Sequence, residues 1–318
     1  MKFKITRAKD AVILRSFLKE TLGLSARTVT ALKGRANGIL LNGQSVTVRA
    51  QLKVGDTLSL ALEDTESNEN LLPRPLPLSV LYEDKHLTLV NKSGDMPTHP
   101  SQGHFEDTLA NALAYRYRDV PYVFRAITRL DRETSGVVLT ARTAADAHAL
   151  SLSLQSGAFE KSYFALVRGS APISGEIDAP IRRKPNAVLL REIHPSGAPA
   201  ITRYIRLATR DGYSLLSVFP QTGRTHQIRL HLASIGHPIC GDFLYGAEDK
   251  TFPRTLLHAA RLAFPHPATG ERMSFFAPLP TDFCAALTCL ALPLPNEADA
   301  LPQESAFSAL RQNAGQKG

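Results

Sequence analysis

The chain has 318 residues, 43% of them hydrophobic and 21% charged. That suffices for a sizeable core and two domains, and it excludes a largely disordered chain. The formal net charge is +8, and the first 60 residues carry all of it, with eleven Lys and Arg against three Asp and Glu. Such concentration favours a polyanionic partner, although a merely solvated basic face has the same composition. The three cysteines, Cys240, Cys284 and Cys289, give no disulfide framework and read as small buried hydrophobes of a reducing cytoplasm. The basic run Lys2, Lys4, Arg7 and Lys9 is followed by an apolar stretch that Arg15 interrupts, so neither an export signal nor a membrane span is expected.

Along the chain, Ile13, Leu14, Phe17, Leu18 and Leu22 recur at helical spacing, which predicts a helix over 11–22. Ser25 can cap a second helix from Ala26 to about Lys33. Ile39 to Leu41, Asn42-Gly43 and Ser45 to Arg49 read as a hairpin about a type I′ turn. A polar stretch then gives way to Pro73, Pro75 and Pro77, the signature of a linker. Beyond it, paired strands are expected at 80–82 and 86–91, and a helix at 108–117. A strand at 136–141 should lead into a helix started by Thr143 and Asp146. Further strands are expected at 163–167, 200–207 and 213–218, the last two joined at Asp211-Gly212. A helix from Thr225 to Ile235 ends at Gly236. Hairpins outnumber strand–helix–strand units, so the expected class is α+β with a mostly antiparallel mixed sheet flanked by helices.

Chemistry concentrates in three stretches. The first is Arg129-Leu130-Asp131-Arg132-Glu133-Thr134-Ser135-Gly136, a polar knot ahead of an apolar strand. Arginines beside Asp131 favour its charged form, which a nucleophile or base requires; a turn whose Asp caps backbone amides suits the same residues. The second is Thr222-Gly223-Arg224-Thr225-His226-Gln227-Ile228-Arg229-Leu230-His231, where a helix from Thr225 would set His226 near Arg229 and Gln227 beside His231. A basic helix start suits an anion, and an ordinary amphipathic helix fits too. The third is Lys161 to Gly169, where Tyr163 alternates with Ala165 and Val167; an aromatic there can stack on a base or simply fill the rim of the core. No phosphate-binding glycine loop, zinc-ligand spacing or nucleophile elbow is present, so no metal is expected.

Together these stretches resemble the RluA/RluD-type family of pseudouridine synthases, from about Leu78 to Leu279. The run 129–139 matches its catalytic motif, 161–169 its tyrosine strand, 222–246 with Gly241-Asp242 its third motif, and Leu257-His258-Ala259 its closing segment. Thr128 and Lys92-Ser93-Gly94-Asp95 depart from the family pattern, which often has His and Lys-Pro-x-Gly there. Residues 11–62 resemble the small RNA-binding domain named after ribosomal small-subunit protein four. The resemblance implies a basic RNA-binding domain at 1–63 and a synthase catalytic domain at 78–295; composition sets a linker at 64–77 and a disordered tail at 296–318. The resemblance also implies a monomer that needs no cofactor and acts on structured RNA, with ribosomal RNA favoured over transfer RNA.

For the site, the resemblance implies that Asp131 is the catalytic carboxylate, forming an adduct with either base or sugar. Tyr163 would stack on the uracil and assist proton removal, and Arg229 would pair with Asp131. Arg129 would fill the space left by an extruded uridine, with Arg132, Thr134, Arg224, His226 and Gln227 as further substrate contacts. A non-catalytic RNA-binding protein would not need the full set of Asp131, Tyr163 and Arg229. A glycoside hydrolase would need a second carboxylate, for which Glu133 is the only neighbour in sequence. Deleting residues 1–63 is expected to weaken RNA affinity and to flatten its salt dependence by about one logarithmic unit per lost phosphate contact, read from binding titrations across a salt series.

Overall fold

The computed structural model describes residues 2–5, 12–22, 24, 26–62, 67–68, 71–187, 189–246 and 251–302. The first unit is a small α/β module. Strands β1 (Lys2–Lys4), β3 (Ile39–Leu41), β4 (Gln44–Ser45) and β6 (Thr57–Leu60) form an antiparallel sheet in the order β1-β6-β3-β4. Asn42 and Gly43 both have positive φ, as the expected type I′ turn demands. Strands β2 (Val12–Ile13) and β5 (Gln51–Leu52) make a separate pair.

The helix expected over 11–22 is shorter. It starts as α1 (Leu14–Ser16) and widens into a π-turn at Phe17–Thr21. Leu14 and Leu18 are buried, but Ile13 pairs with Gln51 in a strand and stays 49% exposed. Helical periodicity alone could not register that pairing with a segment distant in sequence. The second helix, α2, runs Ala26–Gly34; its expected cap, Ser25, lies outside the described residues, as does Ala11. Apart from Ala145, the core of this module draws only on residues 3–62. Each fully buried leucine in it contributes about 1.5–3 kcal/mol of transfer free energy.

The larger unit is built on a nine-stranded sheet, in accord with the α+β expectation. Its strands are β7 (Ser79–Glu83), β8 (Leu87–Lys92), β9 (Ser135–Ala141), β10 (Glu160–Arg168), β11 (Ser174–Asp178), β14 (Ile201–Arg210), β15 (Tyr213–Pro220), β16 (Leu257–Pro265) and β17 (Arg272–Phe276). The order is β11-β14-β15-β10-β16-β9-β8-β7, with β17 also paired to β16. A side hairpin, β12 (Ile181–Arg183) with β13 (Arg191–Ile193), stands outside it. Helices α3 (Leu109–Arg116), α4 (Ala144–Gln155), α5 (Gln227–Ser234) and α6 (Thr281–Cys289) flank the sheet. Thr108 and Thr143 cap α3 and α4 through their hydroxyls.

Among the described residues, all pairings in the large sheet are antiparallel except one. β9 and β16 run parallel and share only Ser135 with His258 and Gly136 with Ala259. At this crossing Gly136 has φ 115°, and a Cβ there would lie 2.2 Å from the Ala259 carbonyl oxygen. The glycine therefore fixes where β9 begins, immediately after the Asp131 loop.

Parts of the expected linker and of the expected tail pack against the larger unit. Leu71 and Leu78 join the apolar cluster around α3, while Arg74 N donates to Asn111 O and Asn111 Nδ2 to Leu72 O. The prolines thus stiffen a strap laid on the larger unit. After residue 295, Ala300 is fully buried and Ser217 Oγ donates to Asp299 O at 2.7 Å; residues 303–318 lie outside the described set. Cys240 is buried, whereas Cys289 is exposed, contrary to its reading as a core residue. Gly136→Ala is expected to destabilise the protein by about 3 kcal/mol through strain and overlap, measured by chemical denaturation.

Candidate active site

Asp131 sits in a loop that is clamped along its length. Ile127 N donates to Leu139 O, and the Thr128 hydroxyl accepts from Leu139 N at 2.9 Å. Thr128, a departure from the family pattern, thus anchors the loop to β9. The Thr98 hydroxyl donates to Leu130 O at 3.0 Å. A tight turn closes from Thr134 N to Asp131 O at 3.1 Å. Lys92 Nζ donates to the carbonyls of Ser93, Met96 and Arg132 at 2.7–3.0 Å. Burial, assisted by the charge of Arg254, pushes this ammonium down to about 7 against the pull of Asp131 and Asp95.

Arg254 holds the next peptide. Its Nη1 donates to Glu133 O at 2.8 Å, and its Nε pairs with Asp282 at 2.6 Å. Its guanidinium passes so close to Gly94 that a Cβ there would meet Nε at 2.4 Å. The Glu133 carboxylate accepts from the Thr255 hydroxyl at 2.6 Å, and Ser135 Oγ meets His258 Nδ1 at 2.9 Å. Glu133 is therefore a buried structural group rather than a second reacting carboxylate. With these contacts fixing the backbone, the Asp131 side chain is left 29% exposed.

The partner of Asp131 comes from α5. Arg229 Nη1 donates to Asp131 Oδ2 at 3.1 Å. The rest of its guanidinium is bidentate on Asp242, with Nε at 2.7 Å and Nη2 at 2.8 Å. The Arg229 side chain is only 4% exposed and that of Asp242 fully buried. Burial disfavours the Arg229 charge, but the hydrogen bonds and charge of Asp242, then of Asp131, outweigh it and hold the group firmly cationic. Sequence motifs alone give Asp242 no role. Its thirteen-residue offset from Arg229 is no helical spacing, so only the tertiary fold could pair them.

His226 precedes α5 in the left-handed region, φ 57° and ψ 19°, a strained conformation for a residue with a Cβ. The expected helix therefore starts two residues later than Thr225. From this corner His226 Nε2 lies 3.8 Å from Asp131 Oδ2, and Nδ1 lies 2.9 Å from the Tyr245 hydroxyl. Burial lowers the His226 imidazole, with Asp131 opposing and Arg229 and Arg191 assisting. Tyr163, on β10, is raised by burial first and by the Asp131 charge second, so its phenol stays protonated.

The remaining expected contacts divide. Arg129 and Arg132 are exposed on the Asp131 loop, Arg132 reaching His104 Nε2 at 3.2 Å. Burial, and then the charge of Arg129, depress His99. Arg224 is exposed beside α5, its Nε on Pro199 O. Thr134 and Gln227 are buried instead. The Gln227 amide bonds to Thr222 Oγ1, Arg224 N, Ile201 O and Thr202 Oγ1, and His231 Nδ1 meets the same Thr202 hydroxyl. Gln227 thus ties α5 to β14. Among the described residues no three His, Cys, Asp or Glu side chains gather as a metal-binding group. Nor is any helix among them long and apolar enough to cross a membrane.

A family model described as RNA pseudouridylate synthase matches residues 86–234. Uncharacterized RNA pseudouridine synthase YjbO of Bacillus subtilis (strain 168) is 38% identical over 264 residues, which span 82% of this chain and 93% of that protein. Ribosomal large subunit pseudouridine synthase D of Pasteurella multocida (strain Pm70) is 35% identical over 271 residues, 80% of this chain and 83% of that one. Among solved structures, Human RNA Pseudouridylate Synthase Domain Containing 4 superposes with a TM-score of 0.56 at 26% identity, covering 69% of this chain and 95% of that one. The chain belongs to the RNA pseudouridine synthase family, isomerases that act on RNA.

His258 supplies a pH signature for the frame behind the loop. It is fully buried between Ser135 Oγ and Ala277 O. Burial, aided by the Arg254 charge and opposed by the Ala277 carbonyl, pushes it down to about 4. Below the ordinary value of 6.5 the unfolded chain takes up a proton here that the folded protein refuses until about pH 4. The unfolded state therefore binds more protons across that window, and stability falls with falling pH by roughly 3 kcal/mol from this residue. In His258→Gln the slope of unfolding free energy against pH over the same window should be shallower by that amount, measured by urea denaturation.

Proposed function

We propose that this protein isomerises specific uridines to pseudouridine in large-subunit ribosomal RNA, with Asp131 as the catalytic carboxylate acting on an extruded uridine. The observation that carries this reading is the Asp131 carboxylate, partly exposed on a clamped loop and gripped from behind by the buried Arg229 guanidinium. The names of several relatives as large-subunit ribosomal synthases support the choice of RNA.

A uridine within folded RNA hides its glycosidic bond in the stack, so it must leave the stack to be reached. Arg129 and Arg132, exposed on the Asp131 loop, suit the phosphates beside the target and the space it vacates. Tyr163 offers a neutral ring for the uracil to stack on. Its raised phenol argues against a phenolate that removes the C5 proton unaided. Isomerisation then requires the bond from ribose C1′ to N1 to break, the uracil to turn, C1′ to join C5, and the C5 proton to be released while N1 takes one up. Atoms and electrons balance within the nucleotide. Asp131 acts through its negative charge, as an adduct former with either base or sugar, while Arg229 keeps it placed.

The N-terminal module, with its excess of Lys and Arg, extends the electrostatic footprint for RNA. Asp131→Asn nearly preserves shape and should leave folding and RNA affinity intact while lowering product formation at least about 1,000-fold. Nucleoside analysis of reacted large-subunit ribosomal RNA tests this, and pseudouridine at the wild-type rate would refute the assignment.

A further inference from the structure

Tyr245 has no part in the roles assigned above, yet it connects directly to the site. Its hydroxyl lies 2.9 Å from the backbone nitrogen of Arg191 on β13 and 2.9 Å from His226 Nδ1. The Arg191 amide can only donate, so the Tyr245 oxygen accepts there. The hydroxyl hydrogen is then available for His226 Nδ1, and the Asp131 carboxylate facing Nε2 favours this arrangement over a second bond accepted by the hydroxyl oxygen. A neutral imidazole that accepts at Nδ1 carries its own hydrogen on Nε2. That nitrogen faces Asp131 Oδ2 at 3.8 Å. The separation is long for a hydrogen bond, as catalytic contacts commonly are before substrate is bound.

The groups facing His226 agree with a neutral ring. Burial lowers it, the charges of Arg229 and Arg191 act in the same direction, and Asp131 and Asp242 oppose them. The Tyr245 ring stands edge-on to the imidazole at 5.6 Å and fixes its plane. Tyr245 is itself placed by Asp242, whose Oδ1 accepts from Tyr245 N at 3.2 Å and from Leu244 N at 3.0 Å. One buried carboxylate, Asp242, thus supports two arms. One passes through Arg229, the other through Tyr245 and His226, and both end on Asp131 Oδ2. No hydrogen-bond donor among the described residues reaches Asp131 Oδ1.

We propose that Tyr245 is a positioning residue that locks His226 in the Nε2–H tautomer, so that His226 and Arg229 together hold Asp131 Oδ2 and present Oδ1 to the substrate. The proposal rests on the reading of Asp131 as the catalytic carboxylate, but its tautomer element can be tested without turnover.

The test uses the full-length protein with 15N-labelled histidine, the His226 signals being assigned by their loss in His226→Gln. Wild type should show the Nε2–H pattern in its two-bond nitrogen–proton correlations, and Tyr245→Phe should show a mixture of tautomers. On an unmodified transcript of large-subunit ribosomal RNA, Tyr245→Phe should lower kcat about fivefold, the scale of one hydrogen bond, and leave KM within about twofold. Gln at 226 can direct an amide N–H at Asp131 without help from Tyr245, so adding Tyr245→Phe to His226→Gln should cost nothing more. An Nδ1–H tautomer in wild type, an unchanged tautomer in Tyr245→Phe, or a kcat loss that persists in the His226→Gln background overturns the proposal. A wild-type protein that forms no pseudouridine on that RNA defeats the proposed substrate, while the tautomer spectra still decide the role of Tyr245.

Discussion

A guanidinium removed from water must be compensated on nearly every N–H, and the ion pair of Arg229 with Asp242 meets that need. Asp242 takes two donors in a planar fork and leaves Nη1 as the one group pointing outward, at Asp131. An exposed Arg–Asp contact would be screened and mobile. Here the cation is rigid because its other side is sealed, so the orientation of Asp131 follows from burial at Arg229, 98 residues away along the chain. Removing Asp242 would leave Nε and Nη2 of a buried guanidinium without their acceptors, which makes this pair a constraint on the fold as much as on the site.

The sheet supplies the second half of the arrangement. Asp131 lies just ahead of β9, at a parallel crossing of the large sheet, where β9 meets β16 over two residue pairs. Around that crossing gather Lys92 from β8, Arg254 and Thr255 ahead of β16, and His258 within it. These side chains hold the peptides of the Asp131 loop from beneath, leaving its arginines free to face solvent. A loop that carries a partly exposed carboxylate between two exposed arginines needs such support, because its own charges do not make a core.

Much of this was legible beforehand. Alternating apolar residues marked β14 and β15, Asp211-Gly212 marked their turn, and Thr143 with Asp146 marked the start of α4, since these are local preferences of the backbone. Asp131, Tyr163 and Arg229 stood out through ordered motifs rather than chemistry, because each residue alone suits a turn, a core rim or a helix face equally well. The contacts that local sequence does not show share one cause. Ile13, the proline strap and the segment ending at Ala300 are set by partners distant in sequence, namely Gln51, Asn111 and Ser217.

The sequence by itself determined the elements, the basic N-terminal module and the residue types available for chemistry, because propensity, periodicity and charge act over a few neighbouring residues. Only the tertiary structure decided that Asp242 locks Arg229, that Gln227 and Glu133 serve the frame, and that Tyr245 reaches His226. Those outcomes depend on which polar groups lose water together, and desolvation is settled by the packing of distant segments rather than by the order of residues along one of them.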